Sequence, residues 1–182
     1  MRKIVAGLYM SLDGVVEAPE QWTAPYFNDE LGQHIGAQFA ASDTLLLGRV
    51  TFQTFASAFA GQSGGMADQM NNTPKVVVST TLERADWQNS TLINGNVAAE
   101  ITTLKQQPGK NIAVSGSITL VRWLLRAGLL DELGLLVVPL VRGSGTHLFA
   151  DGDGGPPLPL TLLDSTAFST GVLALTYTPA GA

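Results

Sequence analysis

The chain has 182 residues, of which 45% are hydrophobic and 14% charged, with a net charge of −5 and no cysteine. This composition fits one globular domain over residues 1–182 with a sizeable core, and it excludes a disordered chain. The acidic balance argues against a nucleic-acid or anionic-membrane surface, and the missing cysteines exclude disulfides, thiolate catalysis and cysteine-ligated metals.

The start, MRKIVAGLYMSLDG, holds a short apolar run at 4–10 and reaches Asp13 quickly, which predicts a first strand rather than a signal peptide. Residues 28–41 carry Leu31, Ile35 and Phe39 at a spacing of four, the mark of a helix. TLLLG at 44–48 predicts a second strand, and Phe52, Phe55 and Phe59 a helix over 50–59. The stretch 60–74, Gly-rich at its start, is expected to be a loop. KVVVS at 75–79 predicts a strand, 95–106 a helix with Val97, Ile101 and Leu104, and NIAVS at 111–115 another strand. A helix over 117–127 follows, with Gly128 as its terminator. ELGLLVVPLV at 132–141 is the longest apolar run, far short of the ~18–20 residues of a membrane span. The expected location is therefore the cytoplasm.

These runs lack alternation, which suits strands buried on both faces, and strand and helix alternate along the chain. The prediction is an α/β three-layer fold with a mostly parallel central sheet. The C-terminal part differs. PLTLLDSTAF and GVLALTYTP, joined by STG after a Gly/Asp/Pro loop at 151–159, predict an antiparallel hairpin added to the sheet.

Ligands of open α/β sheets gather at the carboxyl ends of strands. Three such ends are polar here: Gly48-Arg49-Val50-Thr51, Ser79-Thr80-Thr81, and Ser115-Gly116-Ser117-Ile118-Thr119. Gly48 lets backbone come close to a ligand, and Arg49 offers a planar cation suited to phosphate. Thr51 adds a hydroxyl beside the free N–H groups of a first helical turn. Ser, Thr and Gly are also ordinary capping and turn residues, so the residues alone leave both readings open. The Walker loop, the dinucleotide fingerprint GxGxxG and the nucleophile elbow GxSxG are absent.

SLDG (11–14), LLLGRVTF (45–52), KVVVSTTL (75–82), VSGSITLVRWLLRAGLLDEL (114–133) and VPLVRGSGTHLF (138–149) occur in this order. The set resembles the dihydrofolate reductase-like superfamily, in the branch of the riboflavin-biosynthesis reductase domain and its stand-alone relatives. It covers the chain from Lys3 to about Pro179. The resemblance implies hydride transfer from NADPH to a small heterocyclic (pterin- or pyrimidine-like) or carbonyl-type substrate, frequently in a homodimer. It also admits a non-catalytic dimeric binding protein on the same fold. It places Gly48, Arg49 and Thr51 at the cofactor phosphates, and Ser79 and Thr80 near the adenosine 2′-phosphate. Gly116 and Ser117 fall on a paired-glycine turn beside the pyrophosphate, with Ile118 and Thr119 following, and serine replaces the second glycine. Where the family has a cis peptide in that turn, Gly116–Ser117 is the equivalent bond.

On the substrate side the resemblance points to Asp13, and to Asp29 or Glu30 as a carboxylate on the first helix. The latter two equally suit a helix N-terminus, and Asp13 a turn. Trp22, Tyr26 and Phe27 could wall a pocket for a flat ring or form satellite core. His34 and His147, far apart in sequence without an acidic cluster, make a poor metal site, and no metal is expected. Asp131 and Glu132 resemble a structural corner of the family, and Arg122 and Arg126 are expected to be solvated. The zinc-deaminase signature H-x-E with P-C-x-x-C is missing. The C-terminal hairpin and the 132–141 strand are expected to offer apolar edge and face surface to a second copy.

Overall fold

The computed structural model describes residues 1–149 and 156–180. The strands are β1 (Ile4–Ser11), β2 (Ser42–Gly48), β3 (Lys75–Val78), β4 (Ser90–Ile93), β5 (Asn111–Ser115), β6 (Glu132–Val138), β7 (Leu160–Ala167) and β8 (Leu173–Pro179). The helices are α1 (Asp29–Ala40), α2 (Arg49–Phe59), α3 (Gly65–Asn72), α4 (Val97–Gln106) and α5 (Ile118–Arg126). The strands form one sheet in the order β4-β3-β2-β5-β1-β6-β8-β7. The first six run parallel, while β8 is antiparallel to both β6 and β7. The α/β architecture and the C-terminal antiparallel hairpin expected from the sequence are both present.

The order places a switch point between β2 and β5. From β2 the chain moves on to β3 on one side; from β5 it crosses over β1 to β6 on the other. Such a point opens a crevice beyond the carboxyl ends of the strands.

Burial explains the layers. β2 from Thr44 to Leu47 and β6 from Leu133 to Val138 are buried without a break, as strands covered on both faces must be. β1 and β5 alternate instead: Ile4, Ala6, Leu8, Ile112 and Val114 pack with Leu120, Val121 and Leu124 of α5 and Ile101 of α4. The intervening residues look the other way, towards α1 and α2. There Tyr9 and Leu136 meet Leu31 and Ile35, and Leu45, Leu47 and Ala113 meet Phe52, Phe55 and Phe39.

Three expectations are corrected. Residues 60–74 are not one loop, because α3 occupies Gly65–Asn72. Its end is held by Lys75, whose buried ammonium donates to the carbonyls of Met70 (2.7 Å) and Thr73 (2.6 Å) and lies 4.2 Å over the Trp87 ring. Burial pushes that ammonium down to about 8. The strand at 132–141 ends at Val138, where the Leu140 N–H turns back to the Val138 carbonyl, and it lies inside the sheet rather than at an edge. Short β4 carries only two apolar residues and gives no sequence signal of a strand. Of the Gly/Asp/Pro loop at 151–159, residues 151–155 lie outside the described residues.

Candidate functional site

A cleft of about 1490 Å³ lies over the carboxyl ends of β2, β3, β5 and β1. All eleven residues expected at a cofactor line it: Gly48, Arg49, Val50, Thr51, Ser79, Thr80, Ser115, Gly116, Ser117, Ile118 and Thr119.

Two of the three polar turns are latched to each other. The Gly48 N–H donates to Ser117 Oγ at 2.9 Å, and the Ser117 N–H donates to Thr51 Oγ1 at 3.0 Å. The chain can close this way because Gly116 and Ser117 both adopt left-handed backbone, with φ of 61° and 55°. A Cβ on Gly116 would sit 3.4 Å from the Thr51 methyl group, so glycine there provides both the backbone freedom and the close approach. The Gly116–Ser117 bond is trans, as are the peptide bonds throughout the described residues.

Gly48 has no side chain to cap α2, and the Ser117 side chain does not cap α5. The first-turn N–H groups of α2 and α5 are left for water or for an anionic ligand at the positive ends of two helices. Arg49 stands exposed on the first turn of α2, and its Nη1 donates to Gln53 Oε1 at 3.3 Å. It forms no ion pair within the described residues. Ser79 is committed locally: its Oγ accepts from the N–H groups of Thr81 (3.2 Å) and Leu82 (3.1 Å), which leaves Thr80 exposed beside it. A guanidinium without an ion pair among the described residues, the exposed Thr80 hydroxyl and two uncapped helix starts form a donor set that suits a dinucleotide's phosphates.

The acidic candidates are placed otherwise. Asp13 is not among the residues lining the cleft. Its Oδ1 accepts from Ser11 Oγ (2.6 Å) and the Arg142 N–H (3.0 Å), and its Oδ2 accepts from the Gly143 N–H (2.8 Å). The Ser11 bond first, then the two backbone bonds, hold its carboxyl well below the usual range. Asp29 is exposed at the start of α1 and does not line the cleft. Glu30 turns to the β7–β8 connection, where its Oε2 accepts from Ser169 Oγ (2.7 Å) and the Ser169 N–H (2.9 Å), and these bonds lower its pKa. The structure thus brings the cofactor candidates together and leaves the three carboxylates outside.

Other side chains reach the cleft without having been singled out for it: Tyr9, Glu17, Glu20 and Gln38, together with His34. Burial pushes the Tyr9 phenol up. Its alternation with Leu8 in β1 was the available signal. For Gln38, spacing four from His34 was the signal, hidden because neither residue is apolar.

Of the aromatic trio, Trp22 is core, 6% exposed, with Nε1 donating to the Glu17 carbonyl, and Tyr26 packs against the same cluster. Phe27, 57% exposed, lines the cleft. Arg122 is half-buried rather than solvated, with Nε donating to the Leu148 carbonyl at 2.7 Å. Asp131 serves the corner before β6, where it accepts from the Ile4 N–H (2.7 Å) and pairs with Lys105 (2.6 Å).

The family model described as the RibD C-terminal domain matches residues 2–174. The uncharacterized protein YyaP of Bacillus subtilis (strain 168) is 29% identical over 188 residues, covering 97% of this chain and 94% of that protein. A putative riboflavin biosynthesis protein from Shewanella sp. PV-4 superposes with a TM-score of 0.75 at 21% identity, covering 98% of this chain and 99% of that one. A dihydrofolate reductase from Enterococcus faecalis, solved with NADP(H), superposes with a TM-score of 0.60 at 15% identity, covering 98% and 96%. At these identities the structural likenesses establish the fold.

Proposed function

The chain belongs to the RibD C-terminal domain family, and from that premise we propose that it is an NADPH-dependent reductase of a small heterocyclic or carbonyl-type substrate, folded as a single domain. One observation carries the reading. Three polar strand ends, separated widely in sequence, converge on one cleft, and two of them are joined by reciprocal hydrogen bonds. Bound NADPH supplies a hydride to an electrophilic carbon. The protein's part is to bind and orient. Arg49 and the first-turn N–H groups of α2 and α5 neutralise phosphate charge, and the small residues 115–117 let backbone approach the cofactor. Asp13, held as an anion, is a poor proton source at neutral pH. Tyr9 stays protonated and lines the cleft, so it offers a hydrogen bond to the atom that gains the proton, which water can supply.

Titration of NADPH into the protein, followed by NADPH oxidation across dihydropterins, ribosylaminopyrimidines and simple carbonyls, tests this directly. Absence of NADPH binding sinks it. A non-catalytic binding protein is the second reading, favoured by the placement of Asp13, Asp29 and Glu30 outside the cleft. Tight cofactor binding without turnover across the panel supports that reading.

A further inference from the structure

We propose that His34 and Gln38 form the specificity-determining pair of the cleft, and that they select an uncharged planar group presenting a hydrogen-bond donor beside an acceptor, of the amide or lactam type. The proposal rests on the reductase reading above and names the substrate chemistry of that same site.

Both residues lie on α1, one turn apart, and both line the cleft. Gln38 Nε2 and His34 Nε2 are 3.0 Å apart. With its amide nitrogen turned to the ring, Gln38 donates to His34 Nε2 in the tautomer that leaves that nitrogen an acceptor. The His34 ring is braced by Phe168, edge to face with centroids 5.5 Å apart. The Gln38 amide rests on a floor without side chains. Gly7 and Gly134 are cross-strand partners in β1 and β6, and Cβ atoms there would lie 3.6 Å from Gln38 Oε1 and 3.8 Å from its Nε2. The Gly134 Cβ would also come within 3.1 Å of the Ala6 carbonyl, so a larger residue there would strain the sheet beneath the amide. The pair is therefore held from three sides: by each other, by an aromatic edge and by the glycine floor.

The pair has hydrogen-bonding capacity left over. Among the described residues Gln38 Oε1 accepts no hydrogen bond, and one Nε2–H remains after the bond to His34. A carboxamide with one acceptor and one donor free matches an amide or lactam edge atom for atom, the ligand's N–H to Oε1 and its C=O to Nε2. A cation with donors alone finds only half of that match. None of the residues α1 contributes to the cleft is acidic, since Asp29 lies outside it and Glu30 is turned to Ser169. This wall therefore reads a neutral edge rather than a protonated one.

Benzamide and benzamidinium are isosteric, neutral and cationic respectively, and serve as probes. Each is titrated by NMR into the protein without cofactor, while NADPH is titrated separately. Wild type is expected to bind benzamide more tightly than benzamidinium. Gln38→Leu should weaken benzamide by roughly 3- to 10-fold, the worth of a neutral hydrogen bond, with a native fold by circular dichroism and NADPH affinity retained. Gln38→Glu should reverse the preference in favour of benzamidinium. Equal or tighter binding of benzamidinium by wild type, no benzamide binding, or benzamide affinity untouched in both variants overturns the proposal. Failure of NADPH to bind wild type sinks the cofactor reading alone, because the fragment titrations decide the edge recognition without it.

Discussion

Arg49 and Ser117 carry the most chemistry per residue. Arg49 stands on the first turn of α2, exposed and without an ion pair among the described residues, where a cation is slightly misplaced against the helix dipole. A ligand phosphate at this turn would remove that misfit. A hydrogen bond to a charged group is worth about 1.5–3 kcal/mol, and ~1.4 kcal/mol is tenfold in affinity, so Arg49→Ala should weaken NADPH binding by roughly 10- to 150-fold. If the contact is to the 2′-phosphate, NADH suffers much less; if it is to the pyrophosphate, both cofactors weaken together. Calorimetric titration with each cofactor separates these cases, and unchanged NADPH affinity in a folded variant removes this turn from the cofactor site. Ser117 sits at a φ of 55°, which costs a non-glycine residue about 1–2 kcal/mol. Its hydroxyl offsets the cost by accepting from Gly48. Ser117→Ala keeps the strain and strands the Gly48 N–H, so it should lower stability by about 1–3 kcal/mol. Ser117→Gly loses the same bond but relieves the backbone, so it should be the milder change in urea unfolding. The opposite ranking would mean the latch does not hold the turn.

At the level of elements, two loops are tied by carboxylates rather than by a core. Asp13 holds the N–H groups of Arg142 and Gly143, and Glu17 holds the N–H and hydroxyl of Thr146 at 2.7 and 2.8 Å. Both carboxyls are held below their ordinary values of 3.8 and 4.5, Asp13 chiefly by Ser11 and Glu17 chiefly by Thr146. The unfolded chain therefore binds more protons than the native one at acid pH. The stabilisation is complete above 4.5 and is lost as the pH falls through the two lowered folded-state values. Wild type should lose melting temperature on acidification more steeply than an Asp13→Asn, Glu17→Gln double variant; parallel curves would show that the ties do not couple to folding. This clamp was hidden in the sequence because the groups it ties at Arg142, Gly143 and Thr146 lie 129 or 130 residues away, which no residue pattern records. What was legible had a local cause. The three polar turns that meet in the cleft announced themselves by small and hydroxyl residues directly after apolar runs, and α5 by Leu120, Val121, Leu124 and Leu125 before Gly128, whose φ of 66° ends the helix. β4 and α3 were silent: the one carries two apolar residues, and the other is polar and fixed by the buried Lys75. The direction of Glu30 at the start of α1 was unreadable for the same reason, because it is decided by Ser169 in a distant turn.

For the whole molecule, the sheet is unequally covered. Five helices protect β1 to β6, but β7 hangs on β8 alone, and Leu162, Leu163 and Leu173 of these two strands are 49%, 53% and 41% exposed. Edge-to-edge extension is discouraged by the shift in register between Leu162 and Asp164, which bends the edge and sets a charge on it. The apolar faces of the hairpin remain, and we propose that a second copy of the chain covers them. Each copy carries a net charge of −5, so the contact must be apolar enough to outweigh mutual repulsion. Fully burying one leucine is worth about 1.5–3 kcal/mol, against an association cost of roughly 4–15 kcal/mol, so these three need the neighbouring Leu158 and a standard-sized interface to succeed. Screening the charges with salt should strengthen the dimer, the reverse of a salt-bridged interface. Sedimentation at micromolar concentration is expected to give twice the 19.1 kDa chain mass. A Leu162→Glu, Leu163→Glu double variant should sediment as a folded monomer, because it sets four like charges against each other across the proposed contact. A wild type that sediments at 19.1 kDa, or a double variant that stays dimeric, would remove the hairpin from the interface.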